Sequence, residues 1–280
     1  GLKVTRDRNP NGVNDTDRAI GFSVDHVVSR SVRDSAAMLD ATGYPEPASP
    51  FAWPAKARPY MEEIAASPGR LRVAWSSETP TGRSIEPEIR AALERTAEAL
   101  AALGHDVREQ GLGIDYRALY QAQGLVSAAN FAAGMKRWIE IKGREPSEDI
   151  EGLARRSYER GKAISGQDAL WGLQQLRLMS REILRRFETW DVYLTPVLGA
   201  NVPRVDDLDT LTDDLKAFDA QQARAFSFTP PFNMTGQPSI SLPLWQSESG
   251  LPIGMMFTAK YADEAVLFRL AAQLEKELPW

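Results

Sequence analysis

The chain of 280 residues contains no cysteine and only two histidines, His26 and His105. The first absence removes disulfides, thiolate metal sites and a cysteine nucleophile. The second, with no His-Glu-x-x-His or EF-hand spacing anywhere, leaves no pattern for a metal centre. No apolar run reaches the length of a membrane span. No basic run occurs, and 33 basic against 38 acidic residues leave a net charge of −5, so a nucleic-acid partner is not expected. There is no Gly-x-Ser-x-Gly elbow, no serine with lysine three residues on, and no Gly-Gly-Ser loop. Gly111-Leu-Gly113 hints at a dinucleotide loop, but Tyr116 stands where Gly or Ala is needed for close packing, so it reads as a turn. The first residues are polar and charged, unlike a signal peptide. Together with the missing cysteine this suits a reducing, cytoplasmic setting.

What remains is an ordinary globular composition, with 43% hydrophobic and 25% charged residues and length enough for one large domain or two small ones. Residues 5 to 20 read as an irregular loop and Val24 to Val28 as a short strand. Ser31 opens a helix in capping-box fashion, ending near Gly43 and Pro45. Five prolines between residues 45 and 59 make a connector, with Phe51 and Trp53 as packing anchors. A βαβ unit follows: a strand from Leu71 to Trp75, a helix from Glu86 to Leu103 with Ile89, Leu93, Ala97 and Leu100 on one face, and a strand from His105 to Glu109. Helices are expected over 115–142, 151–162 and 167–190, the last carrying Leu170, Leu173, Leu176, Ile183, Leu184 and Phe187 at helical spacing. A strand then runs from Asp191 to Pro196, and the acidic stretch 199–216 reads as a mobile surface loop. After a turn over Asn233 to Gln237, two strands (239–244 and 251–257) and a helix from Asp263 to Glu277 close the chain.

Pro231 to Trp280 resembles the C-terminal end of the amidase signature family. The likeness lies in Gly236-Gln237-Pro238, Gly250-Leu251-Pro252-Ile253-Gly254, Asp263-Glu264 and Leu270 to Glu275. The opening Gly-Leu-Lys-Val-Thr-Arg-Asp-Arg is similar to a family segment that lies shortly after the nucleophilic serine, with Val4 and Asp7 where Pro and Gly are usual. Either departure is expected to reshape that loop. The segment Asp25 to Asp34, around His26, is similar to the cyclic-amide hydrolases of the family.

The resemblance implies an α/β fold in which a twisted mixed β-sheet is covered by helices, with residues 1–280 forming the C-terminal part of one amidase signature domain. It implies an amide hydrolase using Ser-Ser-Lys acyl-enzyme chemistry on linear or cyclic amides, without metal or cofactor. The catalytic residues would lie upstream, so the expected partner is the N-terminal half of the same protein, covalent or as a second chain; a homodimer is a further possibility. This chain alone is expected to be inactive, with Lys3 not the base. Candidate substrate contacts are Gly21 and Phe22, His26, Ala129 and Asn130, Thr195, Phe232 and Asn233. Each has a plainer reading. Small residues at 127–130 allow close helix packing, Asn233 can satisfy a turn, Phe232 can be core, His26 can be a structural contact, and His105 a strand-edge residue. The rival functions are a non-catalytic binding subunit and an amidotransferase subunit.

Overall fold

The computed structural model describes all residues except 13–17, 45–53, 80, 81, 83, 147–149 and 213. Phe51 and Trp53 therefore lie outside the described residues. The strands are β1 (Leu2–Lys3), β2 (Arg72–Trp75), β3 (Asp106–Glu109), β4 (Val192–Pro196), β5 (Ser239–Gln246) and β6 (Pro252–Ala259). They form one mixed sheet in the order β1-β5-β6-β4-β2-β3. The helices are α1 (Val32–Thr42), α2 (Tyr60–Glu63), α3 (Pro87–Ala102), α4 (Tyr116–Lys142), α5 (Gly152–Lys162), α6 (Gly166–Arg186), α7 (Leu215–Ala225), α8 (Pro230–Thr235) and α9 (Glu264–Glu277).

Strand β4 sits between β2, its parallel neighbour, and β6, its antiparallel one. All five of its residues are buried, as expected of a strand covered on both faces. The βαβ unit forms as read: β2 and β3 pair in parallel from Arg72↔Asp106 to Trp75↔Glu109. The α3 helix starts with Pro87 in its first turn, where a missing N–H costs nothing, and buries Ile89, Leu93, Ala97 and Leu100. Strands β5 and β6 form a hairpin whose register slips between Leu242 and Trp245; Pro243, which cannot donate to a ladder, falls within the slip.

Some readings need correction. Residues 24 to 28 form no strand, and Val28 is 91% exposed, because the alternation there meets no partner edge. His105 stands just before β3, an edge strand of the sheet, and is buried. Its Nδ1 accepts from the Leu71 N–H at 3.1 Å and its Nε2 lies 3.0 Å from Gln273 Oε1, so it struts β2 to α9. Leu170 is 70% exposed, whereas Leu176, Ile183 and Phe187 are buried. The stretch 199–216 is more ordered than a plain loop: Gly199 and Ala200 are buried, a 3₁₀ turn spans Val205–Leu208, and α7 begins at Leu215. The turn read at 233–237 is still helical to Thr235, and the chain reverses at Gly236 with φ of 74°.

Helix α4 packs against α5 and α6 through small residues. A Cβ on Gly161 would fall 2.1 Å from the Ala128 carbonyl oxygen, and one on Gly172 would fall 3.1 Å from Val126. A second apolar cluster of Leu119, Ala122, Val126, Leu176 and Met234 joins these helices to α8.

Candidate functional site

The opening residues are laid along the edge of β5. The Gly1 nitrogen donates to the Ser241 carbonyl at 3.0 Å, the Ser241 N–H returns to the Gly1 carbonyl at 2.8 Å, and Leu2 and Lys3 pair with Ile240 and Ser239. Lys3 Nζ donates to the carbonyls of Gln237 at 2.6 Å and Val4 at 3.1 Å. Burial, helped by the nearby Arg6 cation and opposed by Glu264, brings its pKa down to about 7.

Arg6 is the hub of this corner. Its Nε donates to Gly21 O at 2.6 Å, and its Nη2 donates to Met234 O at 2.7 Å and Asn233 O at 3.2 Å. The guanidinium thus takes up carbonyls at the end of α8 that the helix itself leaves unpaired. It requires bare backbone on both sides: a Cβ on Gly21 would fall 2.5 Å from Arg6 Nε, and one on Gly236 would fall 3.0 Å from Arg6 Cβ. Asp7 follows with φ of +59°, the left-handed backbone that glycine takes freely and Asp tolerates. Its Oδ1 accepts from Asn11 Nδ2 at 2.6 Å, so the loop keeps a conformation suited to glycine. Val4 is fully buried.

Beside Lys3 lies a cavity of about 270 Å³, with Phe232, Asn233, Ser239, Ser241 and Met256 in its wall. Thr195 pairs with Met256 in register, and its buried hydroxyl has no partner among the described residues. Ser239 Oγ is 2.7 Å from Thr258 Oγ1. A larger cavity of about 560 Å³ opens between Tyr120, Gln123, Gly124 and Ser127 of α4 and Asp219, Gln222, Ala223 and Phe226 near α7, with Pro230 at its end.

The candidate residues divide among several places. Phe232 and Asn233 share the smaller cavity, with Thr195 on the adjoining strand. Gly21 is tied to this group through Arg6, and Phe22 lines a 150 Å³ cavity with Arg6 and Met234. Ala129 and Asn130 are half-buried on α4 and stand outside the wall of the larger cavity, which ends at Ser127. His26 is in the wall of neither cavity. Its Nε2 lies 3.3 Å from Ser35 Oγ, its Nδ1 is buried with no partner among the described residues, and burial lowers its pKa. Arg6 stands inside the family-like opening segment but is not among the candidates, and nothing in the local pattern separates Gln123 and Asp219 from surface polar residues.

Among the described residues no cluster of His, Asp and Glu could hold a metal ion, and no helix is long and apolar enough to cross a membrane. The amidase family model matches residues 1–268. The chain belongs to the amidase signature family. It is 35% identical, over its whole length, to the 6-aminohexanoate-cyclic-dimer hydrolase of Paenarthrobacter ureafaciens. It covers 59% of that protein, so it spans well under two thirds of the curated relative it matches. The solved structure of a 6-aminohexanoate cyclic dimer hydrolase complexed with substrate superposes with a TM-score of 0.89 at 34% identity, covering all of this chain and 60% of the other. A bacterial aryl acylamidase of the amidase signature family shares the fold, with a TM-score of 0.81 at 19% identity, over the whole chain and 58% of the other. The mixed sheet clothed in helices is thus the fold of this family.

Proposed function

We propose that this chain is the C-terminal part of an amide hydrolase whose Ser-Ser-Lys machinery lies upstream of Gly1. The observation that carries the reading is the full-length match to a cyclic-amide hydrolase, at 35% identity but only 59% of its length. The fit of the opening segment to the sheet supports it. The residues that would follow the nucleophile pair with Ser239 and Ile240, directly beside the cavity walled by Lys3, Phe232 and Asn233.

In this mechanism a lysine kept neutral by burial accepts a proton through a bridging serine. The nucleophilic serine attacks the amide carbonyl, backbone N–H groups hold the oxyanion, and the amine departs with the returned proton. Water then hydrolyses the acyl-serine. The chain's own contribution is the pocket: Phe232 and Asn233 by direct contact, Thr195 from β4, and Gly21 and Phe22 through the Arg6 corner. The substrates are linear or cyclic amides of small to medium size, the setting is cytoplasmic, and the N-terminal half is present covalently or as a second chain.

A serine-directed fluorophosphonate probe on the complete protein tests this. Stoichiometric label is expected on an upstream serine, with activity indifferent to a chelator. Stoichiometric label on any serine within residues 1–280 overturns the assignment. A monodisperse monomer of this chain alone, at 31.0 kDa, with a cooperative thermal transition overturns the need for an upstream half.

A further inference from the structure

The 560 Å³ cavity between α4 and α7 is of ligand size. Its chemistry is one-sided. Asp219 is the one formal charge in its wall and forms no ion pair among the described residues. Gln123 Oε1 is buried and has no donor among the described residues, although leaving such an atom unpaired is costly. Phe226, 41% exposed, and Tyr120 supply aromatic surface beside these oxygens. An exposed carboxylate and a buried amide oxygen, neither paired among the described residues, lie beside aromatic faces and favour a ligand that brings positive charge and N–H donors. The Arg160 guanidinium comes within 3.0 Å of where a Cβ on Gly124 would lie, although Arg160 itself is not in the wall. Thr229 lines the smaller cavity beside Lys3, and the next residue, Pro230, lines the larger.

We infer that the α4–α7 cavity is a subsite for a protonated primary amine at the non-reacting end of an amide substrate, with Asp219 and Gln123 as its acceptors. The inference rests on the reading of the chain as part of an amide hydrolase, for which the smaller cavity takes the reacting end. Recognition at the larger one then selects amides by what they carry several atoms from the bond to be cut.

Two measurements on the complete protein test it. The first is equilibrium binding of n-pentylamine, with 1-pentanol and pentanoate as isosteric controls. The amine is expected to bind at least tenfold tighter than either control, and Asp219→Asn to remove about tenfold of its affinity. Glu98→Gln, an exposed acid on α3, should leave that affinity unchanged. Equal binding of the three probes, or an amine affinity indifferent to Asp219→Asn, overturns the subsite. The second is turnover of two amides of equal length, one ending in an ammonium group and one in methyl. The ratio of their kcat/KM values is expected to fall about tenfold in Asp219→Asn and also to fall in Gln123→Leu. Amide turnover with an unchanged ratio overturns the subsite and leaves the hydrolase reading standing. Amine binding that depends on Asp219, with no amide hydrolysed, supports the subsite and overturns the hydrolase reading.

Discussion

Glu264 and Glu159 are both paired acids, and they sit in regions built on different principles. Glu264 is wholly buried; its carboxylate takes the Thr5 N–H at 2.8 Å and the Arg8 guanidinium at 2.9 Å, with Arg8 itself 4% exposed. Glu159 lies on α5 and faces Lys162 at 3.6 Å, the two being 60% and 47% exposed. Around the sheet, buried polar groups join residues more than 200 positions apart. In the unit of α4, α5 and α6, small residues let helices near in sequence approach closely, and ion pairs stay in water. The first region is held by satisfying charges that burial makes expensive, the second by shape. The site corner, with Lys3, Arg6 and Asn233, belongs to the first, and the α4–α7 cavity to the second.

The contrast is broken most severely at Glu264. Glu264→Ala leaves the Arg8 cation and the Thr5 N–H buried without their acceptor, and a loss of about 3–5 kcal/mol is expected in urea denaturation; a loss under 1 kcal/mol would mean that the N-terminal segment is not held there. Gly161→Ala probes the helical unit. The new methyl meets the Ala128 carbonyl oxygen and the Ala132 Cβ, and such overpacking costs about 1–3 kcal/mol. Hydrogen exchange should quicken in α4 and α5 while amides of β4 stay protected; uniform loosening would show that the two regions unfold as one. Lys3 gives a pH signature. With its folded pKa near 7 and an unfolded value near 10.4, the unfolded state binds more protons between those values. Stability should therefore climb as pH rises from about 7 to 10, by at most about 1.4 kcal/mol per pH unit from this group. Lys3→Met should flatten that climb, and an unaltered slope would place the ammonium in water. Smallest is Glu159→Ala, expected within about 0.5 kcal/mol of the parent because exposed pairs contribute little; a loss above 1 kcal/mol would erase the distinction between the regions.

Legibility in the sequence follows the same division. The βαβ unit, α4 to α6, the β5–β6 hairpin and α9 could be read because period and punctuation coincide there. Helix α7 hid because only a few of its residues, such as Phe218 and Ala225, are buried; its start is fixed by Asp214 accepting from the Ala217 N–H, a local bond amid other acidic residues. Helix α8 hid behind two prolines, which disfavour a helix interior but fit a first turn. Val24 to Val28 shows the reverse error, since alternation marks a strand only when another strand offers an edge. At the proposed site, Phe232 and Asn233 can be picked as candidates from their place beside strand ends, whereas Arg6 cannot. Its importance lies in three carbonyls from two distant segments, and no local pattern encodes that meeting.

The bonds between residues far apart in the sequence also set a timetable for synthesis. Thr5 and Arg8 leave the ribosome about 250 residues before Glu264, and at roughly 5–20 residues per second the wait is on the order of tens of seconds. During that interval Leu2, Val4 and the Arg8 cation have neither β5 nor α9 to cover them. A nascent chain arrested before β5 should therefore hold residues 2–8 open to protease and to chaperone, while α4 to α6, whose partners lie close in sequence, can already be paired.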